Sequence, residues 1–497
     1  MYQVLIAEDE PAALEHLYNV IQNKCPGFQV AGTAEDGKNA LEQIEYLRPD
    51  VLITDVRMPV MDGIFLIKRV KEKYPDILTV IISGFQEFDY AQTALRYGVC
   101  DYILKPVKPS VLQECMYGLE KRLDEYYYGL RNRMIQEMCA GTSPSPGQFG
   151  RIFSEKEYYV ALLRRNCLPR RFAEFRGVEI FSGKEEQMMV YGRDEMEALY
   201  ICPSSLLLYN SFYQFMMHVL EKERKNSAFY TLILRGRPIQ AEQLPEMIRQ
   251  FYQALNYRLV IGKDQIIRLE DESREEEKDY QASDNASLDR LEYLVKERNQ
   301  QEIPGEIARC FARWTEEDYT QLATEEKVRE MFSLFRRADL LKEPVAMCEY
   351  FIDEAFYYAE NMQKLAENIQ QILCRNILEE GRTGKIDTPE FFHKIEEYMQ
   401  EHLSEQLSPQ KVCGVFGISQ AYLSRLFRKY STSSFSKRLT ILRVERAQQL
   451  MRENSELFIK DIAARVGYGD QFYFSRIFRS ITGISPTEYM EELKSEE

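Results

Sequence analysis

Hydrophobic residues follow two alternating rhythms over the first 125 positions of the chain. Short apolar runs at 4–7, about 28–34, 51–54, 78–82 and 101–104 read as buried strands. Between and after them, apolar residues recur at three-to-four spacing over roughly 11–24, 37–48, 62–74, 87–97 and 109–127, the period of an amphipathic helix. Strands that alternate with helices predict a parallel, doubly wound α/β sheet. In the last of these helices Leu112, Met116, Leu119, Leu123, Tyr126 and Leu130 recur in steps of four and three, which is a heptad seam. Beyond about Lys121 this seam is expected to outrun the domain and form a short coiled coil that joins two chains. Gly141-Thr142-Ser143-Pro144-Ser145-Pro146-Gly147 then ends the helix and reads as a linker.

The pattern is mixed again from about 153 to 270. Strands are expected at 158–163, 188–191, 199–202 and 229–234, with helices around 204–221 and 242–257. The charge run at 270–279 reads as a solvated linker. From 286 to about 380 the spacing is helical, with Leu288, Leu291, Leu294, Val295, Met331, Leu334, Phe335, Tyr350, Phe351, Ala355 and Tyr358 as core positions. Near 388 the character changes. Ser408-Pro409 caps and opens a helix whose apolar face is Val412, Val415 and Phe416. Gly417-Ile418-Ser419 turns into a second helix, 420–430, which is helix-turn-helix spacing. Leu423, Leu426 and Phe427 face inward there, leaving Gln420, Ala421, Ser424, Arg425 and Arg428 outside. A long helix at about 435–452 leads to a second copy. It opens at Ile459, turns at Gly467-Tyr468-Gly469, and closes with a helix at 470–480 that buries Phe474, Ile477 and Phe478. That helix presents Gln471, Phe472, Ser475, Arg476 and Arg479. The duplication is visible directly, as Tyr422-Leu423-Ser424-Arg425-Leu426-Phe427 against Tyr473-Phe474-Ser475-Arg476-Ile477-Phe478.

Charge sharpens this picture. The 497-residue chain carries a net charge of −15, so any contact with nucleic acid has to be local. Between 419 and 486, twelve Lys and Arg face only five Asp and Glu, which is the balance that phosphate contact requires. Ten cysteines without C-x-x-C spacing argue for reduced structural thiols rather than disulfides or zinc. The N-terminus enters a strand directly, and no run approaches the ~18 apolar residues of a membrane span. A cytoplasmic protein without membrane contact is expected.

The strand ends carry the chemistry. In an open α/β sheet ligands bind beyond the C-terminal ends of the strands. That rule gathers Glu8, Asp9, Asp55, Ser83 and Lys105 at one edge. Three carboxylates repel one another unless a hard cation lies among them, and Mg²⁺ prefers oxygen ligands while keeping waters for a phosphate. This constellation closely resembles the receiver domain of two-component response regulators, over about residues 1–125. The resemblance implies a flavodoxin-like fold of five parallel strands with Asp55 as phosphoacceptor. Mg²⁺ would be held by Glu8, Asp9, Asp55 and the carbonyl of Arg57. Ser83 and Tyr102 would form a switch pair, and Lys105 would bind phosphate ahead of a cis bond to Pro106. Glu8 stands where many relatives have Asp, which keeps the charge.

Residues 388–490 resemble the AraC/XylS-type DNA-binding domain, through Ile462-Ala463, Val466-Gly467-Tyr468, Phe472-Tyr473-Phe474-Ser475-Arg476 and Thr482-Gly483-Ile484-Ser485-Pro486. The resemblance implies two recognition helices in successive major grooves, with Arg425 and Arg476 suited to guanine and Gln471 to adenine. Thr432 stands where the family often has glycine. Residues 151–275 are similar to degenerate GGDEF-type nucleotide-cyclase domains, with the signature hairpin at 191–196. Arg193 replaces a glycine there, and Arg164-Arg165 stand where a metal-binding Asp is needed, so no catalysis is expected. Residues 126–150 form a helical extension with linker, and 284–385 a helical region. Receiver first and tandem motif last resemble the YesN-like response regulators. That implies a non-enzymatic, phosphorylation-controlled transcription regulator, with a sensor histidine kinase, promoter DNA and a second copy of the chain as partners. A working cyclase in the middle, or a ligand-gated regulator with a vestigial receiver, are the competing readings.

Overall fold

The computed structural model of the chain describes residues 1–84, 96–169, 180–183, 186–194, 196–206, 211–224, 228–269, 285–341, 345–357, 359–374, 389–405, 407–416, 418, 420–431, 433–454, 457–469 and 471–496. These form two compact units, Met1–Arg133 and Met134–Glu497. Most of the helix expected at 87–97, the whole linker at 270–279 and the residues Tyr358, Gly417, Ser419 and Thr432 lie outside the described residues.

The first unit runs β1 (Tyr2–Ala7), α1 (Pro11–Lys24), β2 (Phe28–Ala34), α2 (Gly37–Leu47), β3 (Val51–Asp55), α3 (Gly63–Lys73), β4 (Leu78–Ser83), β5 (Asp101–Leu104) and α4 (Pro109–Cys139), whose last turns belong to the second unit. The sheet order is β2-β1-β3-β4-β5 and every pairing is parallel. Strand alternation divides the core between the two faces. Val4, Ile6, Val51, Ile53, Val80 and Ile82 pack with buried residues of α1 and α4. Leu5, Leu52 and Ile81 pack with Ala40 and Ile44 of α2 and Leu66, Ile67 and Val70 of α3. Each fully buried aliphatic side chain contributes about 1.5–3 kcal/mol.

The heptad seam behaves differently from expectation. Leu112, Met116, Leu119 and Leu123 all belong to the core of the first unit, and Tyr127 packs against it too. Tyr127 donates its hydroxyl to Asp50, stacks on Tyr2 at 5.6 Å between centroids, and Tyr2 in turn donates to Asp124 at 2.5 Å. The ring of Tyr2 and the Asp50 carboxylate therefore extend the surface that α4 covers past Lys121. These leucines are spent inside the fold, and only Tyr126 of the seam is exposed.

After the last turns of α4 the second unit continues with α5 (Pro146–Ile152) and a mixed sheet. Its strands are β6 (Glu157–Arg165), β7 (Ile180–Phe181), β8 (Met189–Gly192), β9 (Glu197–Pro203), β10 (Tyr230–Leu234), β11 (Ile239–Gln240) and β12 (Gln265–Arg268), with α6 (Phe212–Glu223) and α7 (Leu244–Arg258) between them. The order is β12-β10-β6-β9-β8-β7, with β11 on the end of β6. A helical layer follows: α8 (Asn285–Lys296), α9 (Ile303–Glu316), α10 (Gln321–Arg337), α11 (Val345–Tyr357) and α12 (Met362–Leu373). Leu291, Val295, Met331, Phe335 and Ala355 are buried as the spacing predicts.

The C-terminal helices are α13 (Pro389–Glu401), α14 (Pro409–Phe416), α15 (Gln420–Tyr430), α16 (Phe435–Glu453), α17 (Ile459–Arg465), α18 (Gln471–Thr482) and α19 (Pro486–Glu496). Two small cores are strung along α16. Val412, Leu423, Leu426, Phe427 and Leu439 lie in one, and Val444, Ile462, Phe474, Ile477 and Phe478 in the other. Ser408 caps α14 through the Lys411 amide at 3.2 Å. Val415 is exposed rather than buried. The buried stripe of α14 runs through Val412, Cys413 and Phe416, and Val415 falls beside it at 100° per residue. Gly467 turns the second motif with φ +88°, and a Cβ there would lie 2.2 Å from the Leu403 carbonyl oxygen, so no other residue fits.

Candidate functional site

Each strand end of the first sheet delivers a polar side chain to one place. Glu8 and Asp9 follow β1, Asp55 ends β3, Ser83 ends β4 and Lys105 follows β5. Gly63 lets the start of α3 approach the end of β3: a Cβ would meet the Asp55 carbonyl oxygen at 1.9 Å. Asp62 then caps α3 by accepting from the Phe65 amide at 2.7 Å.

Lys105 Nζ donates to Asp55 Oδ2 at 2.6 Å and to Glu8 Oε1 at 2.7 Å. Asp55 Oδ1 accepts from the Val56 amide at 2.6 Å. Carboxylate oxygens of Glu8, Asp9 and Asp55 all lie within 4.8 Å of one another. Two unit negative charges at that range repel by about 3 kcal/mol at an effective dielectric near 20. Glu8 is buried, and its Oε2 has no hydrogen-bond partner. Burial raises the Glu8 carboxyl above the ordinary carboxylate range and the Asp55 charge adds to this, while Lys105 opposes it. Burial by itself depresses the Lys105 ammonium, but Asp55 and Glu8 outweigh it and hold it above the usual lysine value. An orphaned buried carboxylate oxygen among three acidic side chains fits a hard divalent cation.

Ser83 is fully buried, and its carbonyl accepts from the Lys105 amide at 2.8 Å. Tyr102 is half-buried beside the cluster that contains Ile81. The Lys105-Pro106 bond is cis. Arg57 sits two residues beyond Asp55 with its side chain exposed.

Residues 4–117 match the response regulator receiver domain family, and residues 412–492 match a helix-turn-helix domain family. The chain carries a receiver domain at its N-terminus and an AraC-type helix-turn-helix domain at its C-terminus. A transcriptional regulatory protein of Bacillus subtilis, YesN, is 39% identical over 125 residues, which is 25% of this chain and 33% of that protein. The transcriptional regulatory protein HptR of Staphylococcus aureus is 33% identical over 125 residues, 25% of this chain and 49% of that one. The solved receiver domain of AraT, a response regulator from Geobacillus stearothermophilus, is 40% identical, covers 25% of this chain and 97% of its own, and has a TM-score of 0.24. The chain thus spans between a third and a half of the length of these curated relatives.

In the helix-turn-helix domain, Arg428 is exposed as expected. Ser424 is not: it is buried. A serine side chain is short, and the longer Arg428 stands one turn away from it. The side chains of Gln420, Ala421, Arg425 and Phe472 lie outside the described residues. Gln471, Ser475, Arg476 and Arg479 are all only half-exposed. Ser475 donates back to the Gln471 carbonyl at 2.7 Å, so its hydroxyl is engaged within the helix.

The middle sheet holds a polar cluster that pattern reading found only in part. Arg164 is fully buried at the end of β6 and donates to Asp194 Oδ1 at 2.5 Å and to the Cys167 carbonyl at 2.7 Å. Its Nη1 also lies 3.7 Å from Glu197. Arg193 binds both oxygens of Glu197, at 2.8 and 2.6 Å, and stacks over the Tyr252 ring at 4.0 Å. The basic residue on the strand and the acids of the facing hairpin were each visible in sequence. Their pairing was not.

Proposed function

We propose that this chain is a phosphorylation-controlled, DNA-binding transcription regulator of a two-component system. The observation that carries the reading is Lys105 bridging Glu8 and Asp55 beside an unpartnered Glu8 oxygen, in a chain that ends in tandem helix-turn-helix motifs. A sensor histidine kinase would supply the phosphoryl group. An Asp55 carboxylate oxygen attacks phosphorus, the bond from phosphorus to the donor breaks, and the donor leaves with that electron pair. Lys105 screens the approach of two anions and then holds the transferred oxygens. Mg²⁺ held by Glu8, Asp9, Asp55 and the Arg57 carbonyl would supply further charge neutralisation. Ser83 is placed at the neighbouring strand end to bond the new phosphoryl oxygens, and Tyr102 turns inward beside it. The chain acts in the cytoplasm, as a homodimer on promoter DNA, outside any membrane. Among the described residues no helix is long and apolar enough to cross one.

No cyclase step is part of this reading. The guanidinium of Arg164 occupies the charge-neutralising position against Asp194 and Glu197 that a metal ion would need. Residues 151–275 serve as a GGDEF-like structural module, with 284–385 as its helical companion.

Selection of random duplex DNA by the full-length protein, with and without acetyl phosphate and Mg²⁺, tests the whole reading. A two-part site whose enrichment sharpens on phosphorylation is the expected result. Equal enrichment in both arms would remove the receiver as the input.

The burial of Glu8 adds a pH signature. A cation needs the charged carboxylate, so binding displaces the proton that the raised pKa retains. Mg²⁺ affinity is expected to rise with pH across the acidic range and level off above it. Calorimetry in buffers of different ionisation heat, between about pH 5 and 8, should show proton release only at the acidic end. Absence of release there would mean that Glu8 is already charged.

A further inference from the structure

The edge strand β7 sends one apolar side chain out of its own sheet. Ile180 is 2% exposed, and its side chain sits in the hydrophobic cluster of Val444, Ala447, Ile462, Phe474, Ile477 and Phe478. Among the described residues it is the one from outside the helix-turn-helix domain in that cluster. Its backbone meanwhile stays in the middle sheet, paired with Gly192 of β8, while Ser182 donates to the Val190 carbonyl at 2.8 Å. Beside this contact a cavity of ≈ 50 Å³ lies between Leu163, Val190 and Tyr200 of the sheet and Tyr473 and Arg476 of α18. A Cβ on Gly183 would sit 3.4 Å from Arg479 Nη1. The sheet edge therefore lies on the side of α18 that carries Arg476 and Arg479.

We propose that β7 holds the second recognition helix in an autoinhibited state, with its DNA-reading side turned into the middle sheet. The inference rests on the reading of α18 as a DNA-reading helix. The major groove is about 12 Å wide and a helix with its side chains about 10–12 Å across, so α18 enters only when that side is clear. The sheet edge and DNA cannot occupy it together. Arg476 bears the mark of a group fitted to another partner: its Nε is buried with no acceptor. A side chain placed only for the closed contact would be given one. Opening uncovers Arg476 and Arg479 together. It also returns Ile180 to water, so the closed state is held mainly by apolar burial and the open state by phosphate and base contacts.

The test uses the full-length protein and fluorescent random-sequence duplexes of about two to three helical turns. If ~90% of wild-type molecules are closed, apparent affinity is reduced about tenfold. Ile180→Glu should therefore bind about tenfold more tightly, and Ile180→Leu as wild type does. The slope of log affinity against log salt should steepen by about 0.9 for each phosphate contact regained. Hydrogen exchange on the wild-type protein is the second measurement, because it does not depend on a variant that folds. Saturating DNA should accelerate exchange of the Ser182 amide and of its neighbours in β7. Unchanged exchange on DNA binding overturns the lock whatever the variant does. Equal DNA affinity of wild type and a folded Ile180→Glu overturns it as well, while leaving the DNA-binding reading in place. If neither protein binds DNA, that reading fails and the lock fails with it.

Discussion

Asp55→Asn is expected to reduce phosphate uptake from acetyl phosphate and Mg²⁺ to background. The amide is nearly the same shape and can still accept from the Val56 amide, which Asp55 Oδ1 does at 2.6 Å. The sheet should therefore survive, and the loss should be chemical. An amide oxygen is a poor nucleophile toward phosphorus, and the site loses one of the three carboxylates that lie within 4.8 Å of one another. Asn at this position also presents its NH₂ to Lys105 Nζ, now 2.6 Å from Asp55 Oδ2, and two donors cannot bond each other. The readout is intact mass for one added phosphoryl group, with hydroxylamine lability as the sign of an acyl phosphate. Stoichiometric uptake by the variant would move the acceptor to another residue.

Arg164→Leu should cost the second unit about 3–5 kcal/mol, the usual consequence of removing one partner from a buried ion pair. Asp194 is buried, and burial alone would raise its pKa. The Arg164 charge and hydrogen bond more than reverse this and hold the carboxyl below its ordinary value. Without the guanidinium, Asp194 faces burial with only the Met196 amide, at 2.9 Å, still bonded to Oδ1. Glu197 keeps Arg193 and the Tyr252 hydroxyl, so the damage should centre on Asp194. A folded-state pKa below the unfolded one stabilises above the unfolded value and loses that contribution as pH falls through the folded one. In the variant Asp194 is expected to bind its proton at higher pH than in wild type, so the deficit should be largest at neutral pH and shrink as acid neutralises the stranded carboxylate. Urea titrations at neutral and mildly acidic pH measure both effects. A loss below about 1 kcal/mol would mean that water enters and replaces the guanidinium.

The receiver was legible because its signals are local. A run such as Leu52-Ile53-Thr54-Asp55 gives a strand and its end in one reading, and parallel topology then brings the ends together without further information. The cis Lys105-Pro106 bond came with the family resemblance, not with the pattern. Where the reading failed, a distant residue had intervened. Leu123 fits a coiled-coil seam by its spacing, and nothing near it in sequence shows that Tyr2 and Asp50 extend the receiver surface. Val415 is apolar and spaced for a buried face, but the stripe of that helix runs through Cys413 instead. Ser424 has an outward helical position, yet its short side chain is covered. Ile180 carries no local sign at all. An isoleucine in an edge strand looks the same whether it covers its own sheet or the core of another domain.

The packing of Ile180 among Phe474, Ile477 and Phe478 has a consequence for dosage. An inhibitor encoded in the same polypeptide as its target is present at one copy per copy, at every level of expression. A tethered contact is a unimolecular equilibrium, set by a local concentration of order millimolar for short flexible tethers rather than by the amount of protein in the cell. Raising the level of this chain therefore raises the number of closed molecules and open molecules in the same ratio. Overproduction alone does not titrate the lock away, as it would deplete a separate repressor. Only an input that favours one arrangement over the other changes that ratio.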